Sequence, residues 1–318
     1  MIRRRNILAG LLAAVPGCAA ARQGARLAEP FSLPALPGNM VLRPLGGLEI
    51  DRHALGFGGL SGLHLAPDLT LSAVSDIGHF VEFDLTLDAM LRPMTLTLRR
   101  AGRLRDGGGR FLPRGYAGDA EALAKLPDGG WLVTFERWHR IRRYDDLNGP
   151  GLYVAAPPGL ERAPVNAGLE SLAVLADGRW FGIAEDLALL DAAGVTAAWM
   201  RGPGGWTALG YRPLPGMGPV DAAPLPEGGA LVLERGFSLF GGFSGRLVRL
   251  PPAALAAPAA GAVLEGQELL RLASPLPVDN YEGVAMTVHA GHRLVALVSD
   301  DNENRLQRSL VLLFELIG

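Results

Sequence analysis

The residues of this 318-residue chain best equipped for chemistry are acids at matching ends of short apolar segments. Residues 168–186, GLESLAVLADGRWFGIAED, place Glu170 and Glu185 at the two ends of one hairpin-like stretch. Lead-in segments LSGL (60–63), AEAL (120–123), LESL (169–172), VDAA (220–223) and YEGV (281–284) each precede a turn and a second apolar run. The second runs end in Asp76, Glu136, Glu185, Glu234 and Asp300. The turn of an antiparallel hairpin fixes which residues face each other. Two-residue turns at Asp128-Gly129, Asp177-Gly178 and Glu227-Gly228 set Glu121 opposite Glu136, Glu170 opposite Glu185, and Asp221 opposite Glu234. A three-residue turn centred on Gly291 sets Glu282 opposite Asp300, and Asp68-Leu69 pairs Ser61 with Asp76. Like charges directly opposite destabilise a sheet, so four such pairs at one register call for a cause.

The elements that must position these acids are strands. Nearly half the residues are hydrophobic, and 43 Gly and 24 Pro punctuate many short apolar runs, as in a sandwich, barrel or propeller. The five lead-ins recur about every 50–60 residues, and further strand-like segments follow, among them HFVEFDLTL, RIRRY, GLYVAA, GRLVRL and QELLRLA. Four strands per unit is the pattern of propeller blades. The expected fold is therefore an all-β propeller of five visible blades, with a sixth, degenerate blade around Trp199 to Leu214 left open. The last unit supplies only three strands, ending in SLVLLFEL, and the N-terminal MVLRPLGGLEI can add the fourth and close the ring. Residues 30–318 form one domain, with the Ala/Pro-rich segment 251–262 as a surface loop inside one blade.

In such a ring the acids gather at one mouth of the central channel. A ring of carboxylates suits a hard cation such as calcium, which takes six to eight oxygens. Without a cation, converging carboxylates repel or acquire raised pKa values. The competing reading is structural: strand-end acids bind backbone amides of neighbouring blades, and Glu136-Arg137 or Glu234-Arg235 are paired ions. Trp131 and Trp180 follow the turns of two units at matching positions, which favours packing between blades over stacking on a sugar.

Other chemistries find little support. There is no G-x-S-x-G elbow, the six histidines show no zinc spacing, and Gly107-Gly108-Gly109 lacks a following Lys-Ser/Thr. Ser61, His64 and Asp76 could be assembled into a triad, as a trio of this kind can in any chain of this length. A net charge of −2 leaves no nucleic-acid footprint. A closed propeller hides its sheet edges, so a monomer is expected.

The N-terminus, MIRRRNILAGLLAAVPGCAAA, reads as an address over residues 1–29. The apolar core of about ten residues is too short to span a bilayer, which needs about 20. Arg4-Arg5-Asn6-Ile7-Leu8 resembles a twin-arginine export signal, so the mature protein is expected in the periplasm. Val15-Pro16-Gly17-Cys18 offers a lipoprotein cleavage site with membrane tethering through Cys18, and ordinary cleavage after Ala19-Ala20-Ala21 is the alternative. Cys18 is the sole cysteine, so the mature domain has no disulfide and no thiolate chemistry.

The succession GLSGLHLAPDLTLSAVSD, GDAEALAKLPDGGWLVTFER, NAGLESLAVLADGRWFGIAED, NYEGVAM and SDDNENRLQRSLVLLFEL resembles the phytase-like family, exported bacterial propellers described as having esterase-like activity. The resemblance runs from about Gly38 to Leu316 and is most specific over Asp119 to Arg137, Tyr281-Glu282-Gly283, and Asp300 to Leu316. It implies calcium as cofactor, with Glu121, Glu170, Asp221, Glu282 and Asp300 as ligands and Asp301 as a further candidate. It also implies catalytic roles for Glu121, Glu170, Arg137 and Arg235, and binding of a phosphate or carboxylate by Arg137, Arg235 and Arg305. One departure stands out. Lys125 is the sole lysine, too little cationic provision for inositol hexakisphosphate, so a smaller phosphomonoester or related small ester is the expected substrate. The function implied is a calcium-dependent ester hydrolase. A non-catalytic ligand- or partner-binding propeller with structural calcium, and a lactonase-type propeller hydrolase, are the alternatives.

Overall fold

The computed structural model describes residues 27–36 and 38–317. The segment expected to be an export signal, with Cys18, lies outside the described residues. The chain enters through β1 (Ala28–Phe31) and β2 (Leu42–Ile50), then a one-turn helix α1 (Arg52–Leu55). Blade 1 follows as β3 (Leu60–Leu65), β4 (Thr70–Ser75), β5 (His79–Leu87) and β6 (Pro93–Arg103). Blade 2 holds β7 (Ala120–Lys125), β8 (Trp131–Phe135), β9 (Arg140–Tyr144) and β10 (Leu152–Val154). Blade 3 holds β11 (Ser171–Val174), β12 (Trp180–Ile183), β13 (Thr196–Gly202) and β14 (Gly205–Tyr211). In blade 4, β15 (Gly218–Pro224), β16 (Ala230–Ser238) and β17 (Gly242–Leu250) precede the short helix α2 (Pro252–Ala256). Next, β18 (Val263–Leu264) crosses to pair in parallel with β14, and β19 (Gln267–Leu272) completes blade 4. Blade 5 is β20 (Asn280–His289), β21 (His292–Asp300) and β22 (Ser309–Leu316), finished by β2 and β1.

There are thus five blades. The strand signals around Trp199 to Leu214 are β13 and β14, the outer half of blade 3 rather than a sixth blade. The N-terminal segment closes the ring, since β2 pairs with β22 from Leu42↔Leu316 to Ile50↔Ser309. The segment 251–262 is more than a loop: Leu255 of α2 is buried against blade 3, and its carbonyl accepts from Arg179 Nη2 at 2.7 Å.

Burial explains the composition. Strands sandwiched between neighbouring blades lose alternation, so β4, β8 and β22 are buried at every residue, whereas the outer β6 alternates. Five apolar clusters fill the five blade interfaces, for example Phe135 and Tyr144 with Val74 and Phe80, and Leu132 with Leu172 and Trp199. Each fully buried large aliphatic or Phe side chain contributes about 1.5–3 kcal/mol. Trp131, 5% exposed, belongs to the interface of blades 1 and 2, in line with packing rather than sugar stacking. The innermost strands β3, β7, β11, β15 and β20 touch in succession around the axis. One face of this ring collects the starts of the first strands and the ends of the second strands. That face is the mouth.

Candidate active site at the acidic mouth

The hairpin loops do not have the lengths the sequence suggests. Leu126 and Gly130 close a three-residue loop, Pro127-Asp128-Gly129, and the same form joins Leu175 to Arg179 and Leu225 to Gly229. Its third residue is a left-handed glycine, as at Gly129 (φ 90°), a conformation that Gly adopts without steric penalty. In blade 5 the reverse holds, with a two-residue Ala290-Gly291 turn between His289 and His292. A β-bulge on each of β3, β7, β15 and β20 then shifts the register further at the mouth. Glu121 and Glu282 sit in these bulges, so neither faces a strand-end acid directly. Asp119 is the residue aligned with Glu136, through Glu136 N–H to Asp119 O at 2.9 Å. In blade 3, Gly168 O accepts from both Glu170 and Glu185. Bulges re-aim side chains, and here they turn the acids toward the adjacent blade.

The carboxylates do converge, across blade boundaries. Asp119, Glu121 and Glu136 each place an oxygen within 4.8 Å of the others, and Glu136, Glu170 and Glu185 do the same. Glu136 of blade 2 belongs to both groups and so brings the Glu170 and Glu185 carboxylates of blade 3 up to those of blade 2. Glu170 is 7% exposed and its Oε1 has no hydrogen-bond partner. Asp76 Oδ1 is likewise buried and unpartnered, in space left by Gly59, where a Cβ would lie 1.9 Å from it.

Electrostatics follow from this crowding. Burial first, then the Asp119 and Glu282 charges, push Asp76 up to about 7. Burial also pushes Glu136 up to about 7. Glu170 is held well above the usual carboxylate range by burial and by Glu121, Glu136 and Glu185. Burial acts the same way on Glu121 and Asp300, with the Glu282 charge next in each case.

Blade 4 breaks the pattern. By register, Pro219 faces Glu234 and Gly218 faces Arg235, so Arg235 occupies the ring position held by Glu136 in blade 2. Arg235 donates to Glu185 Oε1 at 3.0 Å, to Asn280 Oδ1 at 2.8 Å and to Glu282. Burial opposes its charge, yet Glu282, Glu185 and Glu170 hold the guanidinium above its ordinary range. Glu234, expected to face Asp221, turns away from the mouth and accepts from Arg246, the Tyr211 hydroxyl and Leu214 N–H. Asp221 accepts from Val284 N–H and Ala222 N–H, both at 2.8 Å, and ties blade 4 to blade 5.

The remaining candidates are dispersed. Arg137 is half-exposed and pairs through Nε with Asp119 at 2.5 Å. Asp300 Oδ1 accepts from Asn302 N–H at 2.7 Å, and Asp301 Oδ2 accepts from Ser309 Oγ at 2.8 Å. Arg305 is exposed and lines a separate cleft with Glu49, Asp51 and Arg52. Ser61 Oγ donates to Glu121 O at 2.8 Å, and His64 packs edge-on against Trp131, so the Ser61–His64–Asp76 trio is not assembled. Asp119 and Asn280 join the site although sequence reasoning passed over them; both lie at the start of a first strand, across from a strand-end acid.

The donor set suits a hard cation. It is all carboxylate oxygen, Asp119, Glu121 and Glu170 are buried, and Glu170 Oε1 lacks any other partner. The sequence profile of the phytase-like family, described as "Esterase-like activity of phytase", matches residues 55–303. No curated protein matches the sequence. Solved structures similar to this chain include a gluconolactonase, 11% identical over 89% of this chain and 96% of that one, with a TM-score of 0.42. A PQQ-bound aldose sugar dehydrogenase from Streptomyces coelicolor is 16% identical over 89% and 99%, with a TM-score of 0.44. A thermostable family-43 glycoside hydrolase is 10% identical over 83% and 94%, with a TM-score of 0.49.

Proposed function

This chain belongs to the phytase-like family, and from that premise we propose that it is a divalent-cation-dependent ester hydrolase, with calcium the best-suited ion. The carrying observation is the pair of carboxylate groups that share Glu136, with the buried Glu170 Oε1 left unpartnered. Glu121, Glu170 and Glu185, grouped around Glu136, would hold the ion and leave Glu136 as the base. Bound there, the cation supplies Lewis-acid polarisation of the ester oxygen and a more acidic water.

The chain's own groups do the rest. Glu136, the acid common to both carboxylate groups, is placed to take a proton from an attacking water. The Glu170 carboxyl, raised by burial and neighbouring acids while no cation is present, would give up its proton on binding the ion and turn its unpartnered Oε1 toward it. Arg235 fixes Glu185 and Glu282 in place. Water adds, the ester bond breaks, and the acid and alcohol products share the two hydrogens of that water. In this reading the N-terminal signal sends the enzyme to the periplasm.

The test is hydrolysis of p-nitrophenyl acetate and p-nitrophenyl phosphate by protein stripped with EDTA and then given calcium, magnesium or manganese. Activity that vanishes with EDTA and returns with calcium is expected. Activity unaffected by EDTA overturns the cation dependence. Calcium-stabilised protein silent on a broad ester panel moves the assignment to the ligand-binding propeller, which the Asp221 contacts with Ala222 and Val284 amides favour, since they use an acid purely as a blade tie.

A further inference from the structure

We propose that the substrate carries an uncharged apolar group, in its simplest form an acyl chain, held in a cavity between blades 3 and 4. This deepens the hydrolase reading and rests on it. The cavity measures about 1150 Å³ and is lined at its inner end by Glu185, Arg235 and Asn280, so it opens directly beside the carboxylate cluster. Three chain segments build most of it: the long connection after β12, the connection from β14 to β15, and the outer part of the β16–β17 hairpin, with Asn166, Ala167, Asn280 and Asn302 completing the lining.

Its wall is mixed: Val195, Leu214, Met217, Phe237 and Phe243 form an apolar stretch, while Asp186, Thr196 and Arg212 line other parts of it. The Phe237 and Phe243 rings lie 5.0 Å apart at the rim. Phe237 is 61% exposed, and at the hairpin tip Leu239 and Phe240 are 89% and 104% exposed. Apolar surface of this kind beside a polar site marks a binding surface. The hairpin extends the track outward from the cavity.

The charges speak against a phosphate-rich ligand. Two arginines line the cavity, and both already have carboxylate partners. Arg212 donates to Glu265 at 2.7 Å and to Ala193 O, while Arg235 serves Glu185 and Glu282. Recognition of a phosphate group wants a forked arginine with its donors unspent. An ester with a neutral, apolar substituent asks nothing of these arginines and buries its methylenes against the wall.

The test uses the full mature protein loaded with calcium and a p-nitrophenyl ester series from acetate to octanoate, alongside p-nitrophenyl phosphate. Methylene burial predicts that kcat/KM rises about three- to four-fold per added methylene. Phe237→Ala removes only an exposed ring, and Met217→Glu places a charge in the wall. Each is expected to flatten that slope at least two-fold per methylene. A flat slope in the wild type, or phosphate preferred over octanoate, overturns the cavity assignment while leaving the hydrolase reading intact. Binding of the neutral dye Nile red, measured in parallel, separates the two failures. Dye bound by wild type and lost in Met217→Glu supports the cavity even where no ester is turned over. Dye binding equal in both proteins overturns it.

Discussion

Arg235→Met tests the electrostatic logic of the mouth most directly. The guanidinium is the one cation placed among Glu185, Glu282 and Asn280, with side-chain exposures of 24%, 22% and 14% for Arg235, Glu185 and Glu282. Methionine preserves much of the stem's packing while removing the charge. Deleting one partner of a buried ion pair costs about 3–5 kcal/mol, because the other charge is left uncompensated. Glu185 and Glu282 keep some solvent access, so a loss near the low end, about 3 kcal/mol, is expected at pH 8 in EDTA. The loss must depend on pH. Burial raises Glu282 in the wild type and Arg235 opposes that rise, so the variant's Glu282 goes higher still. An acid whose folded pKa is raised adds stability that is complete below its unfolded value and disappears as pH climbs through the folded one. Lowering the pH returns protons to the raised Glu282, which then needs the cation less, so the deficit at pH 5 should be smaller than at pH 8. Urea unfolding followed by fluorescence of the buried Trp131 and Trp199 measures both deficits. Equal losses at the two pH values would refute the argument, as would a loss below about 1 kcal/mol at pH 8. Calcium should also recover more stability in the variant than in the wild type.

Three further outcomes follow from the same geometry. Without divalent cations the wild type should lose stability from about pH 4 to about pH 7, since Asp76 rises from 3.8 to about 7 on folding. At about 1.4 kcal/mol per pH unit, Asp76 alone accounts for at most ~4 kcal/mol. The melting-temperature gap between calcium and EDTA should open over that window, and a gap already full at pH 4.5 would count against carboxylate ligation. Glu170→Gln removes a buried acid among like charges, so it should leave the EDTA form at pH 8 as stable as wild type or more so. Its calcium affinity by calorimetry should fall at least ten-fold, and unchanged affinity would take Glu170 out of the site. Gly62→Ala puts a Cβ 2.4 Å from Leu123 N and 2.6 Å from Ala122 C, backbone of the next blade that cannot swing aside. The cost should reach the upper part of the usual 1–3 kcal/mol for overpacking, whereas Gly204→Ala, with nothing within 4 Å, should stay within about 0.5 kcal/mol.

The blade frame was legible because Asp-Gly and Glu-Gly turns punctuate runs that must be apolar on both faces between neighbouring sheets. Closure by MVLRPLGGLEI was legible because SLVLLFEL leaves the last unit one strand short. The pairing of individual acids was not. Asp128-Gly129 looks like a two-residue turn, but the chain uses Pro127-Asp128-Gly129, and the bulge at Glu121 adds a second slip. A one-residue slip exchanges the faces of every side chain, so Glu234 goes from the mouth to Arg246. The cue was present in WLVTFER and ALVLER: the second is one residue shorter, which puts Arg235 where Glu136 stands. The cavity wall carried no such cue, since its connections are adjacent only once blades 3 and 4 are packed.

The exception in the ring explains where chemistry can occur. Five carboxylates at equivalent points would leave five identical repulsions and no reason for a substrate to prefer any sector. Arg235 neutralises the sector between Glu185 and Glu282, and Asp221 is consumed by backbone amides next to it. The uncompensated acids then concentrate on Glu121, Glu136 and Glu170, where the unpartnered Glu170 Oε1 lies. Glu185 is the hinge between these halves, because it belongs to the carboxylate group with Glu136 and Glu170 and also lines the cavity. An ester bound with its apolar group in that cavity would have its reacting end beside Glu185, within the field of the acids and next to the group that contains Glu136. Loss of fivefold equivalence at a single residue is what gives the mouth a charged side and a greasy side next to each other.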